Sequence, residues 1–112
     1  MWGICLENLI SDDIYLHQRA VEYQLDTDNH TANILQPVQD LKISSDRIMM
    51  RDKPPTFEYG DLVSPVDHPD MLGTVREIVW HFKNMDYNYY ITVNGRKQST
   101  RYYTDDLMKR TR

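Results

Sequence analysis

Asn94-Gly95 lies between two runs built for strands, and it constrains this chain more than any other pair of residues. Upstream, Tyr87-Asn88-Tyr89-Tyr90-Ile91-Thr92-Val93 sets Tyr87, Tyr89, Ile91 and Val93 on one face of an extended segment. Downstream, Lys97 to Thr104 reads as the returning strand. A two-residue type I′ turn needs positive φ at both central positions, and Asn-Gly meets that demand at least steric cost. The neighbourhood is therefore antiparallel β.

The pattern extends in both directions. Gly60 to Val66 reads as a short strand, and Asp67-His68-Pro69-Asp70-Met71-Leu72 as a turn-rich loop. Gly73 to Phe82 is β-branched and aromatic, with three residues rather than two from Val75 to Ile78. That spacing predicts a bulge near Arg76-Glu77. Lys83 to Asp86 reads as a turn, and Thr104-Asp105-Asp106-Leu107 as one tight helical turn that Thr104 would cap.

The N-terminal half is less regular. Ser11-Asp12-Asp13 suggests a helix start, and Ile10, Ile14, His17, Val21 and Leu25 would share a helical face. The competing reading alternates Val21, Tyr23 and Leu25 in a strand that returns from Thr31 to Leu35. The combination adopted is a short helix over 11–18 and a hairpin over 19–36. A faint internal echo links Tyr23–Leu41 to Tyr90–Leu107, each running strand, polar turn, strand and an Asp-Leu pair.

Charge divides the chain in the same place as backbone stiffness. Residues 1–55 carry nine acids and five bases, whereas residues 56–112 carry eight of each, so the net charge of -4 lies wholly before Pro54-Pro55. Paired prolines end regular structure there. The expected organisation is an acidic N-terminal α+β segment over 1–55 and a β domain over 56–112 with a basic tail. The segment would pack on that domain or be exchanged between protomers of a homodimer.

A length of 112 residues with 27% charged and 40% hydrophobic residues describes an ordinary folded chain rather than a disordered one. No apolar run approaches the ~18 residues of a membrane helix. Met1-Trp2-Gly3-Ile4-Cys5-Leu6-Glu7 lacks a basic leader, so neither a secretory signal nor membrane attachment is expected. One cysteine fits a reducing, cytoplasmic setting.

The strand order from Phe57 to Lys109 resembles the small Src homology 3-like barrel shared with KOW and Tudor-type domains. The resemblance is carried by Tyr59-Gly60-Asp61-Leu62-Val63, Gly73-Thr74-Val75, Tyr89-Tyr90-Ile91, Asn94-Gly95 and Tyr102-Tyr103 with Asp106-Leu107. It covers about half the chain and implies a mainly β protein with an N-terminal α+β extension. The acidic-aromatic signature of the proline-peptide-binding branch is absent from the first loop, so that ligand is not implied. The overall look is that of small uncharacterised bacterial proteins.

Chemistry-bearing clusters are few. Asp67-His68-Pro69-Asp70, with His81, offers imidazole and carboxylates, but no His-x-x-x-His or paired Cys accompanies them. A stiffened turn is the simpler reading. Cys5, with His17 or His30 as a partner, has no nucleophile signature and reads as a small buried hydrophobe. No glycine-rich phosphate loop or G-x-S-x-G elbow occurs, so no enzyme and no cofactor is expected.

Five of the eight tyrosines fall between positions 87 and 103. Adjacent strand residues point to opposite faces, so one of Tyr89/Tyr90 and one of Tyr102/Tyr103 must face outward. Tyr89 shares its face with Ile91 and Val93, leaving Tyr90 outside. Trp80, Tyr90, Lys97, Arg101, Tyr102 and Tyr103 are the candidate binding residues. Aromatics among bases suit a protein partner with acidic groups or single-stranded nucleic acid. The net charge of -4 disfavours the second. A small acidic chain also fits an immunity or antitoxin-like role. Trp80 has a core or rim reading as well, and Trp2 is expected to pack back onto the barrel, since a bare aromatic there is costly.

Overall fold

Alternation of apolar and polar residues becomes strand after strand in the computed structural model, which describes residues 1–8, 10–11 and 14–111. The chain is mainly β and divides into two compact units, Met1–Pro54 and Pro55–Arg112.

The first unit contains β1 (Trp2–Cys5), a small hairpin of β2 (Ile10–Ser11) and β3 (Ile14–Tyr15), β4 (Ala20–Asp26) and β5 (Thr31–Gln36). β6 (Leu41–Ser44), a 3-10 turn at Ser45–Arg47 and β7 (Ile48–Arg51) complete it. All pairings are antiparallel, and the sheet order is β6-β5-β4-β1-β7. Ala32 and Ile34 of β5 are buried while Asn33 and Leu35, which alternate with them, are partly exposed, the period-2 signature of a one-sided sheet. Cys5, Leu16, Val21, Tyr23, Val38 and Ile43 join them in one cluster.

The hairpin expected over 19–36 is present as β4–β5. The helix expected over 11–18 is not. Ile10 pairs with Tyr15 and Ser11 with Ile14, and Gln18 has a left-handed φ of 63° that no helix interior accommodates. Asp12 and Asp13, the proposed first-turn acids, lie outside the described residues. The helical spacing from Ile10 to Leu25 was coincidental: Val21 is buried in β4, whereas Leu25 is exposed. Trp2 belongs to an interior strand of this first sheet, opposite Glu22 and Arg51.

The second unit contains β8 (Leu62–Pro65), β9 (Gly73–His81), β10 (Asp86–Val93), β11 (Arg96–Lys97) and β12 (Tyr102–Tyr103). A 3-10 turn at Thr104–Asp106 leads into β13 (Leu107–Lys109). The order is β11-β10-β9-β8-β13, with β12 also on β10. The ladder is an open path, so the expected closed barrel is not formed. Its fourth strand is broken: the segment read as one strand over 97–104 pairs only as β11 and β12, with 98–101 outside the ladder.

Two local expectations hold in detail. Asn94 and Gly95 have φ of 51° and 75°, and Val93 faces Arg96 across a two-residue turn. The ladder partners of Tyr90 and Ile91 are Glu77 and Val75, so Arg76 is the bulged residue. The 3-10 turn at Thr104–Asp106 is tied differently from expectation. The Tyr103 amide donates to Asp106 Oδ2 at 2.9 Å, so Asp106 supplies the capping group assigned above to Thr104. No helix among the described residues is long and apolar enough to cross a membrane.

Candidate functional site

Register sorts the tyrosines. Tyr89 lies opposite Ile78 on one side and Tyr102 on the other, so these three share the inner face. Tyr89 is fully buried; its ring meets Phe57 edge-on at 5.1 Å, and its hydroxyl accepts the Thr56 amide at 3.0 Å. Burial pushes its phenol above the ordinary value. Tyr90 falls on the other face and is half-buried, as expected. Tyr103 lies opposite Asn88 and is exposed.

Trp80 leaves the candidate face. It is only 6% exposed and packs edge-on against Tyr87 at 5.0 Å and Phe82 at 6.5 Å. It lies opposite Tyr87, on the same side as Ile78 and Tyr89, so parity alone sends it to the core.

The cation beside Tyr90 is one the sequence reading did not select. The Arg76 guanidinium sits 5.8 Å from the Tyr90 ring centre, pairs with Glu77 at 3.2 Å and donates to the Gln98 carbonyl at 3.0 Å. The bulge was the available signal, because an extra residue re-aims the side chain at that position. Lys97 is exposed in β11 opposite Thr92. Arg101 lies 5.6 Å over the Tyr103 ring and donates to its hydroxyl at 3.3 Å.

Two of the six candidates, Arg101 and Tyr102, converge on an open cleft of about 450 Å³ within the second unit. Pro65, Met71 and Tyr102 provide its apolar surface. Asp67, His68 and Asp106 stand along it, and Gln98, Thr100 and Arg101 form the remaining wall. Backbone bonds assemble it. The Val66 amide donates to the Asp106 carbonyl at 2.8 Å, joining the end of β8 to the 3-10 turn. His68 and Met71 close successive turns on Pro65 and His68. The tail clamps this loop from outside: Arg110 Nη1 donates to the Pro69 carbonyl at 3.1 Å, and its amide to the Leu62 carbonyl at 2.8 Å. Lys109 lies 3.6 Å from Asp61.

A family model described as a family of unknown function, DUF6960, matches residues 39–108. The chain belongs to this family. The match takes in β6 and β7 and every strand that builds the cleft apart from the last residue of β13. No curated protein and no solved structure matched the chain.

The remaining sequence candidates are placed as follows. His68 and Asp67 reach the cleft, while His81 is in β9, where its Nδ1 accepts the Asn84 amide at 3.2 Å. Among the described residues no group of three His, Cys, Asp or Glu side chains is placed to hold a metal ion. Cys5 is fully buried, its thiol donating to the Glu7 carbonyl at 3.6 Å. Burial pushes that thiol above its ordinary value, which disfavours the thiolate a nucleophile requires.

Proposed function

We propose that the chain is a non-catalytic binding module that engages a protein partner through the Arg101–Tyr102 cleft. The observation that carries the reading is the convergence of an aromatic ring, a thioether and a guanidinium on one open concavity. Such a combination grips an apolar side chain and a hydrogen-bonding neighbour together. The wall formed by Pro65 to Met71 and the 3-10 turn is held by backbone bonds, which lowers the ordering cost of binding on that side.

Protein is favoured over nucleic acid because Asp67 and Asp106 stand in the same cleft as Arg101. Two carboxylates offset one cation and repel a phosphate backbone. The order of the second unit (strand, loop, strand, turn, strand, hairpin, split strand, 3-10 turn, strand returning to the first) supports reading it as a Src homology 3-like topology in an unclosed form.

The test is selection of peptides from a random display library on the full chain, followed by calorimetry on Arg101→Ala, Tyr102→Ala and Tyr90→Ala. If Arg101 and Tyr102 are hot spots, each cleft variant weakens binding roughly 10- to 30-fold, for about 1.4–2 kcal/mol. Tyr90→Ala, outside the cleft, leaves affinity unchanged. Equal affinity of both cleft variants and the parent chain would end the proposal.

A further inference from the structure

We infer that the chain is an internal tandem duplication: Trp2–Arg51 and Leu62–Arg110 descend from one five-stranded unit. This inference is independent of the proposed binding role.

Topology supplies the first argument. Matching β1 to β8, β4 to β9, β5 to β10, β6 to β11 and β7 to β13 turns the order β6-β5-β4-β1-β7 into β11-β10-β9-β8-β13 without rearrangement. In both, the last strand returns beside the first, directly after a 3-10 turn. The details repeat as well. β1 and β8 each have four residues with one half-buried and three buried. The turn before the third strand ends in a non-glycine residue at left-handed φ, 54° at His30 and 51° at Met85. The residue just past the first strand donates to the last residue of the 3-10 turn in both units. These bonds are Leu6 to Arg47 at 2.7 Å and Val66 to Asp106 at 2.8 Å.

Shared topology alone can arise twice, so the sequence has to decide. Ser45-Asp46-Arg47-Ile48-Met49-Met50-Arg51 and Thr104-Asp105-Asp106-Leu107-Met108-Lys109-Arg110 align without a gap at a constant separation of 59 residues. Asp, Met and Arg are identical, while Ser/Thr and Ile/Leu are close substitutes. The structural roles coincide: Ile48 faces Cys5 as Leu107 faces Pro65, and Met49 faces Ile4 as Met108 faces Ser64. Methionine has no special strand preference, so a 3-10 turn leading into a strand does not by itself demand it. The echo read between Tyr23–Leu41 and Tyr90–Leu107 pointed to the right halves in the wrong register, since Leu107 corresponds to Ile48 and not to Leu41.

The copies have parted chiefly in the loop after the first strand. It runs over 6–19 in the first unit and carries the β2–β3 hairpin, whereas it runs over 66–72 in the second and lines the cleft.

The test exchanges the matched segments in the full chain. One variant carries Ser45→Thr, Arg47→Asp, Ile48→Leu and Met50→Lys, and the reciprocal carries Thr104→Ser, Leu107→Ile and Lys109→Met, with Asp106 kept because its carboxylate accepts the Tyr103 amide. A control writes the second-unit segment one position late, at 46–52, which turns its side chains to the wrong faces. Amide exchange at Leu6 and Val66 stays as slow as in the parent for the two matched variants and accelerates at Leu6 in the control. Acceleration in the matched variants equal to that of the control would overturn the inference.

Discussion

Gly3→Ala is expected to destabilise the first sheet, and by more than Gly73→Ala destabilises the second. Gly3 sits in β1 between Val21 of β4 and Met50 of β7, in the interior of the sheet. A Cβ there would lie 2.5 Å from Ile48 Cγ2, 2.8 Å from the Met49 carbonyl oxygen and 3.1 Å from the Tyr23 ring. The isoleucine methyl can rotate away, but the carbonyl belongs to the backbone of the paired strand and moves only if the ladder moves. Forcing a methyl into such a site costs about 1–3 kcal/mol. Restricting the unfolded chain returns about 0.4–1 kcal/mol, so at the middle of both ranges overpacking wins and the net loss is about 1.3 kcal/mol. For a unit of this size that lowers Tm by about 8 °C. The measurement is urea unfolding followed by far-ultraviolet dichroism, with Gly73→Ala alongside. At Gly73 the nearest atoms to a new Cβ are at 3.0 Å, so its loss should be smaller. A Gly3→Ala midpoint equal to or above the parent's would refute the close approach on which the estimate rests.

Three further outcomes follow from burial and charge. Cys5, Tyr23 and Tyr89 all have pKa values raised mainly by burial. The folded chain therefore holds protons that the unfolded chain releases first. This stabilisation is complete below the unfolded thiol and phenol values and is lost as pH rises through the folded ones. Urea midpoints should be steady near neutrality and fall above about pH 9, and a midpoint that climbs over that range would contradict the burial. Consistent with the same environment, Cys5 should resist alkylation by iodoacetamide at neutral pH until urea unfolds the chain, and rapid native labelling would show an accessible thiolate. Single-stranded oligonucleotide should not be retained by the chain even at low salt; retention that falls steeply with added salt would favour the nucleic-acid reading.

Short-range chemistry was legible in the residues themselves. Asn94-Gly95 announced its turn, the Val75–Ile78 spacing announced the Arg76 bulge, and strand parity placed Tyr89 inside and Tyr90 outside. Where sequence reading failed, two periodicities fitted the same residues. Ile10 to Leu25 satisfied a helical stripe, yet Ile10 pairs with Tyr15 and β4 begins at Ala20, because pairing β1 with β4 requires the connecting segment to fold back. Arg76 was passed over for the opposite reason: its turn toward Tyr90 depends on which residue the partner strand skips.

The sequence by itself determined antiparallel β structure, the break at Pro54-Pro55 and the opposite faces of Tyr89 and Tyr90, because these depend on φ, on proline and on alternation within a few residues. Only the tertiary structure decided that Tyr102 faces inward with Tyr89, that Arg101 and Tyr102 meet Met71 across a cleft, and that Ile48 and Leu107 hold equivalent places. Each of those facts joins residues distant along the chain, and register between strands, which no local preference encodes, brings them together.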